Sequence, residues 1–566
     1  MMPSTTSTSQ LGRLLLLPLA VSIAHAAPVS ITVNARNQTG PFTPIARFFG
    51  ADEPNYAYYP EGQALLSELG GQLGPAQTYF RAHNLLTTGN GIPALKWGST
   101  NAYTEDADGN PIYNWTIIDR IFESYLERNV KPYAQIGFMP EALSSHPHPY
   151  FFNFTPSSPY DVIYTGWSYP PTNYSKWGEL VYEWVKHCVE KYGASEVESW
   201  YWEVWNEPNI QYWNGTVEQF YELHDYAIDA VRRALPTARV GGFEIAGGTG
   251  GDYLANFIEH VLRGRNYATG EIGSPLDFLS FHAKGSPTYV NNTNGGYIQM
   301  GIAAQLQNID DAFSVIASYP EIRHKPIIIS ECDPDGCAAC ITPQYDYRNG
   351  LLYPSYTAAS FARALDLSVK HGVNLQGALT WAFEYDDYPY FDGFRVLTTN
   401  GIDKPVINFH RMLGKMSGQR VDATSSGQVP LDTAVASGIR DAPDVGVLAS
   451  LDDGRLSVFV WHYHDDDLPK PDANITVSIE GLPWTGSGKL AHYRVDNEHS
   501  NSYTMWLKQG SPQSPTAEEY AALKAAGQLA TLGDPETIHV GDGGWGEVSF
   551  TLPIHSLSLL VFEKNL

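Results

Sequence analysis

From about residue 45 to about residue 415, short apolar runs alternate with segments whose apolar residues recur at helical spacing. No other feature constrains the fold as much, because repeated strand–helix units imply parallel strands joined by helical crossovers. Candidate strands are Val130 to Phe138, Trp200 to Trp205, Arg239 to Ile245, Asp277 to His282, Pro326 to Ser330 and Leu375 to Trp381. Between them, Trp177, Leu180, Val181, Trp184, Val185 and Cys188 mark one amphipathic helix. Val217, Phe220, Tyr221, His224, Ile228 and Val231 mark another, opened by Thr216 and Gln219 in the spacing of a capping box.

Two architectures accommodate such a run: a closed eight-fold barrel and an open doubly wound sheet. A dinucleotide-binding open sheet wants a G-x-G-x-x-G turn after its first strand, and the chain has no convincing one. Polar and aromatic residues gather instead at the C-terminal ends of many strands, where a barrel builds its active site. The expectation is an α/β fold, a (β/α)8 TIM barrel over residues 46–415. After about Met416, Val447 to Leu451, Leu456 to His462, Ile475 to Ile479, Leu490 to Val495 and Ser556 to Phe562 are separated by Gly, Pro and Asp turns. They predict a C-terminal all-β sandwich over 416–566. Val29 to Val33 has no place in the barrel, so 27–45 is expected to add a strand to the sandwich. No long linker separates the domains, which are expected to pack firmly.

Against 35 basic residues stand 61 acidic ones, a net charge of −26. That balance repels nucleic acid and anionic membrane, and both are set aside as partners. Arg13, the apolar run Leu14 to Ala24 and the small residues of Ala24-His25-Ala26 predict a secretory signal peptide over 1–26. The run contains Pro18 and is too short to span a bilayer. Secretion to the extracellular space is therefore expected, with N-glycosylation acceptors at Asn37, Asn114, Asn173, Asn214, Asn291 and Asn474. The four cysteines are too few for a disulfide-built scaffold. Cys188 falls on the apolar side of a helix as a free thiol, while Cys332, Cys337 and Cys340 leave one local disulfide with its partners open. No metal or cofactor motif is evident, and neither is expected.

Between Ser199 and Asn209 the chain reads SWYWEVWNEPN, two carboxylates four residues apart among aromatics. Acids at barrel strand ends suit glycoside hydrolysis. Retaining enzymes set two carboxyl groups about 5–5.5 Å apart, one to protonate the leaving oxygen and one to attack the anomeric carbon. Glu207 comes after the fourth strand and Glu331 after the apolar run of the seventh. Glu203 shares a strand face with Trp205 and points into the barrel, where it needs a partner such as Arg81; its expected role is structural.

Several motifs together resemble glycoside hydrolase family 39, best known for β-xylosidases, within the clan of retaining barrel glycosidases. They are Arg81-x-His83, Gly137-Phe138-Met139-Pro140-Glu141-Ala142-Leu143, Asn206-Glu207-Pro208-Asn209, Gly393-Phe394 and Asn400-Gly401-Ile402-x-Lys404-Pro405, with HYRVDNEHSNSYTMW from His492 to Trp506. The resemblance covers nearly all of the chain beyond the leader. It implies Glu207 as acid/base, Glu331 as nucleophile and Asn206 as donor to the sugar hydroxyl beside the reacting carbon. His83, His282, Phe138 and Trp381 would line the pocket, and Glu384, or else Asp386 or Asp387, would bond sugar hydroxyls. The implied activity is hydrolysis of β-1,4-linked xylo-oligosaccharides from plant cell-wall polysaccharide to xylose. The relatives include α-iduronidases, so the alternative is the same machinery on an arabinofuranose-containing side chain or a uronic acid; a non-catalytic carbohydrate-binding protein is the remote one. Many members of the clan have a tyrosine two residues after the sixth-strand histidine; here the run is His282-Ala283-Lys284. Lys284 either holds Glu331 ionised or binds a substrate carboxylate. The loop CDPDGCAAC after Glu331 also departs from the commoner pattern, which leaves the glycone open.

Overall fold

A computed structural model describes residues 28–292 and 295–565. The signal peptide expected at 1–26 lies outside the described residues. Eight parallel strands form one sheet: Phe48–Ala51, Thr78–Ala82, Val130–Ile136, Tyr201–Val204, Arg239–Gly241, Leu279–Lys284, Pro326–Asp333 and Asn374–Thr380. The eighth pairs with the first. Parallel bridges Gly241↔Phe278 and Ile245↔Phe281 stitch the fifth to the sixth, and the sheet closes as a barrel. The first two strands are absent from the candidates above because Arg47, Asp52, Gln77 and Arg81 bound or break their apolar runs.

The crossover helices are built as their apolar spacing dictates. Tyr174–Tyr192 is capped by Asn173, and Val217–Ala234 opens with Thr216 and Gln219 each accepting the other's backbone N–H. The two helices bury Trp177, Trp184, Phe220 and Leu223 against the barrel and leave their charged faces to solvent.

The second domain is one strongly curled sheet. Its path runs Gly546–Leu552, Ala473–Glu480, Val29–Pro41, Gln419–Ser425, Asp444–Asp452, Arg455–Tyr463, Ser556–Lys564 and Gly486–Val495. The N-terminal strand lies between Ala473–Glu480, parallel to it, and Gln419–Ser425, antiparallel to it. Gln419–Ser425 meets Asp444–Asp452 only at Gln419↔Leu451 and Arg420↔Ser450. There the sheet folds over, and its halves face one another across Ile31, Val33, Val458, Val460, Ile475 and Val477. Alternate residues of the same strands (Phe459, Trp461, Leu557, Leu559) join the core beneath the barrel helices Leu352–His371 and Pro405–Leu413. The domains thus share one apolar interface. Two short helices, Ser502–Lys508 and Ala517–Gly527, interrupt the β texture, each started by a side-chain cap from Asn501 or Thr516.

Cys337 and Cys340 form the disulfide, and Cys188 and Cys332 are buried free thiols. Asn37, Asn114, Asn173, Asn214, Asn291 and Asn474 are all exposed. Among the described residues no helix is long and apolar enough to cross a membrane.

Candidate active site

The seventh strand runs on to Asp333, past the apolar run that announces it, because the sixth strand continues beside it. Glu331 pairs with His282, Cys332 with Ala283 and Asp333 with Lys284. This register sets a basic side chain beside each acid. Lys284 Nζ lies 2.6 Å from Glu331 Oε2 and 2.7 Å from Asp333 Oδ2. Arg81 Nη1 donates to Glu331 Oε1 at 3.1 Å, with His83 Nε2 3.7 Å from the same oxygen. Burial pushes the Glu331 carboxyl up, but the charges of His282, Lys284 and Arg81 outweigh it and hold the group well below the usual carboxylate range.

Beyond the fourth strand, Trp205 and Glu207 take φ values of 72° and 44°. A left-handed non-glycine residue costs about 1–3 kcal/mol and persists only where its surroundings impose it. The bend breaks the strand's alternation. The Trp205 indole turns into the core and donates to the Tyr212 carbonyl at 2.9 Å, while the Glu207 side chain keeps 16% exposure. Glu207 Oε1 lies 2.9 Å from His282 Nδ1, and His282 Nε2 lies 2.9 Å from Glu244 Oε2. One polar atom from each of Glu207, His282 and Glu331 falls within 4.8 Å of the other two. Such a set could hold a divalent cation, but Lys284 and Arg81, at 2.6 and 3.1 Å, already neutralise Glu331 and would face the ion. The arrangement suits a proton better.

Beneath this group Arg81 is fully buried and uses its whole donor fork. Nε meets Glu203, Nη2 lies 2.8 Å from Glu244 and 3.0 Å from Asn206 Oδ1, and Nη1 reaches Glu331 and His83 Nε2, each at 3.1 Å. A single guanidinium thus holds three carboxylates. Glu203 points inward on that cation; burial pushes its carboxyl well above the usual range even so. Because Arg81 can only donate, His83 Nε2 must accept. The His83 proton then sits on Nδ1 and is donated to Asp52 Oδ1 at 2.8 Å.

Asp52 Oδ2 in turn accepts from Lys96 Nζ at 2.6 Å and from the Trp381 indole at 3.4 Å. Trp381 follows the eighth strand, its ring 4.4 Å from that of His83. A Cβ at Gly50 would come within 2.4 Å of the Trp381 ring, so only glycine fits beside it. Phe138 makes a wall with Trp167 and Tyr212, centroids 4.3 and 5.9 Å away. Glu384 is buried and its Oε2 accepts from Thr398 Oγ1 at 3.0 Å; burial and the neighbouring Asp386 push it well above the usual range.

Four contributors have no counterpart in the sequence reading: Asp52, Lys96, Glu244 and Asp333. Asp52 directly follows the short strand FFGA, and Glu244 sits in the run VGGFEI much as Glu203 sits in its own. Either could have been flagged as an acid at a strand end. Lys96 arrives from a loop with φ 61°, which no pattern signals.

Burial lowers the His282 pKa, but Glu331 and the hydrogen bonds to Glu207 and Glu244 raise it to about 9. In an unfolded chain the ring titrates near pH ~6.5. Because the folded value is the higher, this stabilisation is complete below about pH 6.5 and is lost as pH rises through about 9. The melting temperature should fall by a few degrees over that window, and the fall should be smaller in His282→Gln. Identical Tm–pH curves for the two proteins would contradict the charge assigned to His282.

The sequence profile of the family described as Glycosyl hydrolases family 39 matches residues 94–531. A β-xylosidase of Caldicellulosiruptor saccharolyticus is 24% identical over 474 residues, 81% of this chain and 85% of that one. An α-L-iduronidase of Mus musculus is 23% identical over 449 residues, 73% of this chain and 63% of that one. Among solved structures, a monomeric β-xylosidase from Caulobacter crescentus superposes with a TM-score of 0.72 at 20% identity, covering 95% of this chain and all of that one. At that identity the superposition speaks for the fold.

Proposed function

This chain belongs to glycoside hydrolase family 39, and on that premise we propose that it is a secreted retaining exo-glycosidase releasing xylose from β-1,4-linked xylo-oligosaccharides of plant cell walls. The observation that carries the mechanism is the approach of Glu207 and Glu331, whose nearest oxygens lie within 4.8 Å. Retaining enzymes keep their carboxyl groups about 5–5.5 Å apart, whereas inverting ones leave about 6.5–9.5 Å for a water molecule.

In the first step Glu331 attacks the anomeric carbon, the bond to the leaving oxygen breaks and Glu207 gives that oxygen its proton. In the second, Glu207 takes a proton from water, the hydroxide attacks the same carbon and Glu331 is released. His282 serves both steps. With the proton on Glu207, Nδ1 accepts and Nε2–H donates to Glu244; with the proton on Nδ1, the ring is a cation between two carboxylates. Both states keep both 2.9 Å contacts, so the proton can pass without the ring turning. When Glu331 is esterified, Lys284 keeps Asp333 as its partner and is not left unpaired. Asn206 Oδ1 is held by Arg81, which leaves the amide NH2 to donate to the sugar.

A neutral glycone is favoured over a uronic acid because the site's cations are already matched. Lys96, Lys284 and Arg81 each face a carboxylate at 3.1 Å or less. A uronate would have to displace one of those acids. Turnover of an aryl β-D-xyloside should exceed that of an aryl α-L-arabinofuranoside or an aryl α-L-iduronide by about tenfold or more. The opposite order would overturn the choice of sugar but not the mechanism. Secretion is supported by the leader-like first 26 residues and the exposed acceptor asparagines; cleavage after Ala26, read by N-terminal sequencing of exported protein, tests it.

The acid role has its own signature. Glu207→Ala should lose about 10²–10⁴-fold in turnover of substrates with poor leaving groups, since general acid catalysis supplies that much. Activated aryl xylosides, which need little protonation, should lose far less in the first step. Equal losses across leaving groups would contradict the assignment.

A further inference from the structure

The N-terminal strand Val29–Pro41 loses its regular pairing after Asn34. Asn34 faces Asp422 and the next partnered residue, Gln38, faces Val421, so Ala35, Arg36 and Asn37 bulge from the sheet. The Arg36 stem lies against Gly481, where a Cβ would come within 2.5 Å of it, and Arg36 Nη2 donates to the Gly543 carbonyl at 2.9 Å. That arm ties the turn Asp542–Gly544 to the bulge. Beside it Asn34, Asn37, Glu480, Asp542 and Trp545 surround an open hollow of about 460 Å³. Trp545 is 49% exposed, and no other tryptophan of the described residues is left so open. Asn37, exposed as well, begins the acceptor triplet Asn37-Gln38-Thr39. We propose that an N-glycan carried by Asn37 lies in this hollow with its first sugar against the Trp545 ring, which makes Trp545 a docking platform for the chain's own carbohydrate.

In the attachment step Asn37 Nδ2 bonds to the anomeric carbon of an N-acetylglucosamine. The bond from that carbon to the diphosphate of a lipid-linked donor breaks, and one amide proton leaves with the diphosphate. The second amide proton stays and is still donated to Asp422 Oδ2, 3.3 Å away, so the side chain keeps its direction. A tryptophan offers a wide apolar face, which suits the C–H face of a sugar ring. The Glu480 and Asp542 carboxylates and the Asn34 amide oxygen offer acceptors to its hydroxyl and acetamido N–H groups. The two carboxylates repel an anion, and the one cation of the hollow, Arg36, already donates to Gly543. A tethered glycan also has the advantage over a dissolved oligosaccharide. A short flexible tether sets its effective concentration in the millimolar range, whatever the concentration of free sugar outside.

The inference rests on the secretion proposed above and on nothing assigned to the barrel. Full-length protein exported from a eukaryotic host is compared with Asn37→Gln, Thr39→Ala and Trp545→Ala, and with Trp545→Ala combined with Thr39→Ala. Mass spectrometry of the glycopeptides reads occupancy, and acrylamide quenching of tryptophan fluorescence reads coverage of the exposed ring. The expected result is an occupied Asn37 and a higher quenching constant in both Asn37→Gln and Thr39→Ala than in the parent. Thr39→Ala keeps the Asn37 side chain and its bond to Asp422, so it isolates the sugar. In the Trp545→Ala background, Thr39→Ala should change nothing, which assigns the effect to this one ring. Equal quenching with Asn37 occupied would send the glycan into solvent and overturn the docking. A bare Asn37 beside occupied acceptors elsewhere in the chain would overturn this inference alone, whereas protein that is not exported would overturn the secretion and this inference with it. A parent whose Trp545 is protected by added xylotriose would give the hollow to a dissolved sugar instead.

Discussion

Glu331→Ala is expected to lower turnover of an aryl β-xyloside by on the order of 10⁵-fold or more, the scale of losing a covalent nucleophile. The fold should survive, since Lys284 retains Asp333 and Arg81 retains Glu203 and Glu244. The space vacated lies between those two cations, which makes it receptive to a small anion. Azide added to this variant should enter from the face that Glu331 would have used and yield a glycosyl azide of inverted configuration from an activated substrate. In Glu207→Ala, azide should instead open the Glu331 ester from the opposite face and give the retained azide. Product NMR tells the two apart. The same azide from both variants, or residual activity in Glu331→Ala that does not depend on azide, would contradict the roles assigned.

The largest expected effect on stability belongs to Arg81→Met. This one guanidinium compensates Glu203, Glu244 and Glu331, all buried. Removing one partner of a buried pair costs about 3–5 kcal/mol because a charge is left uncompensated. Glu203, pushed well above the usual range, loses a hydrogen-bond donor rather than a counter-charge. Losing the cation shared by Glu244 and Glu331 is still a large share of the stability of a typical domain, about 5–15 kcal/mol. The variant should therefore fail to accumulate as folded protein at neutral pH. Arg81→Lys should be intermediate, since an ammonium keeps the charge but cannot span three acids. Glu203→Gln should be mild, because its carboxyl is already pushed well above the usual range. A folded Arg81→Met protein melting within a few degrees of the parent would show that the network does not carry the barrel's stability.

Strand length did not decide what was legible in the barrel. Val130–Ile136 and Pro326–Asp333 announce themselves as apolar runs, and the short Tyr201–Val204 and Arg239–Gly241 lie inside longer apolar stretches. Phe48–Ala51 and Thr78–Ala82, by contrast, are bounded or broken by Arg47, Asp52, Gln77 and Arg81. Strand alternation is enough to set Glu203 against a partner inside the barrel, and Arg81 is that partner. Alternation fails at Trp205, Glu207 and Glu244, where φ turns positive. Those bends decide which acids meet His282, and no residue pattern encodes them. Lys284 left two options in the sequence; the pairing of Asp333 with Lys284 across adjacent strands shows it between two acids. The disulfide partners followed from geometry alone: the chain places Cys337 beside Cys340, while Cys332 continues the strand after Glu331 with its thiol buried near Gln305. Asp52 and Lys96 came together from an uncounted strand and an unpatterned loop.

The central claim is that Glu207 and Glu331 work as a retaining pair, and proton NMR in the first minutes of aryl β-D-xyloside hydrolysis tests it most directly. The account predicts that β-xylose appears first and the α anomer grows in only by mutarotation. Early α-xylose would mean a single displacement by water and would contradict a covalent role for Glu331.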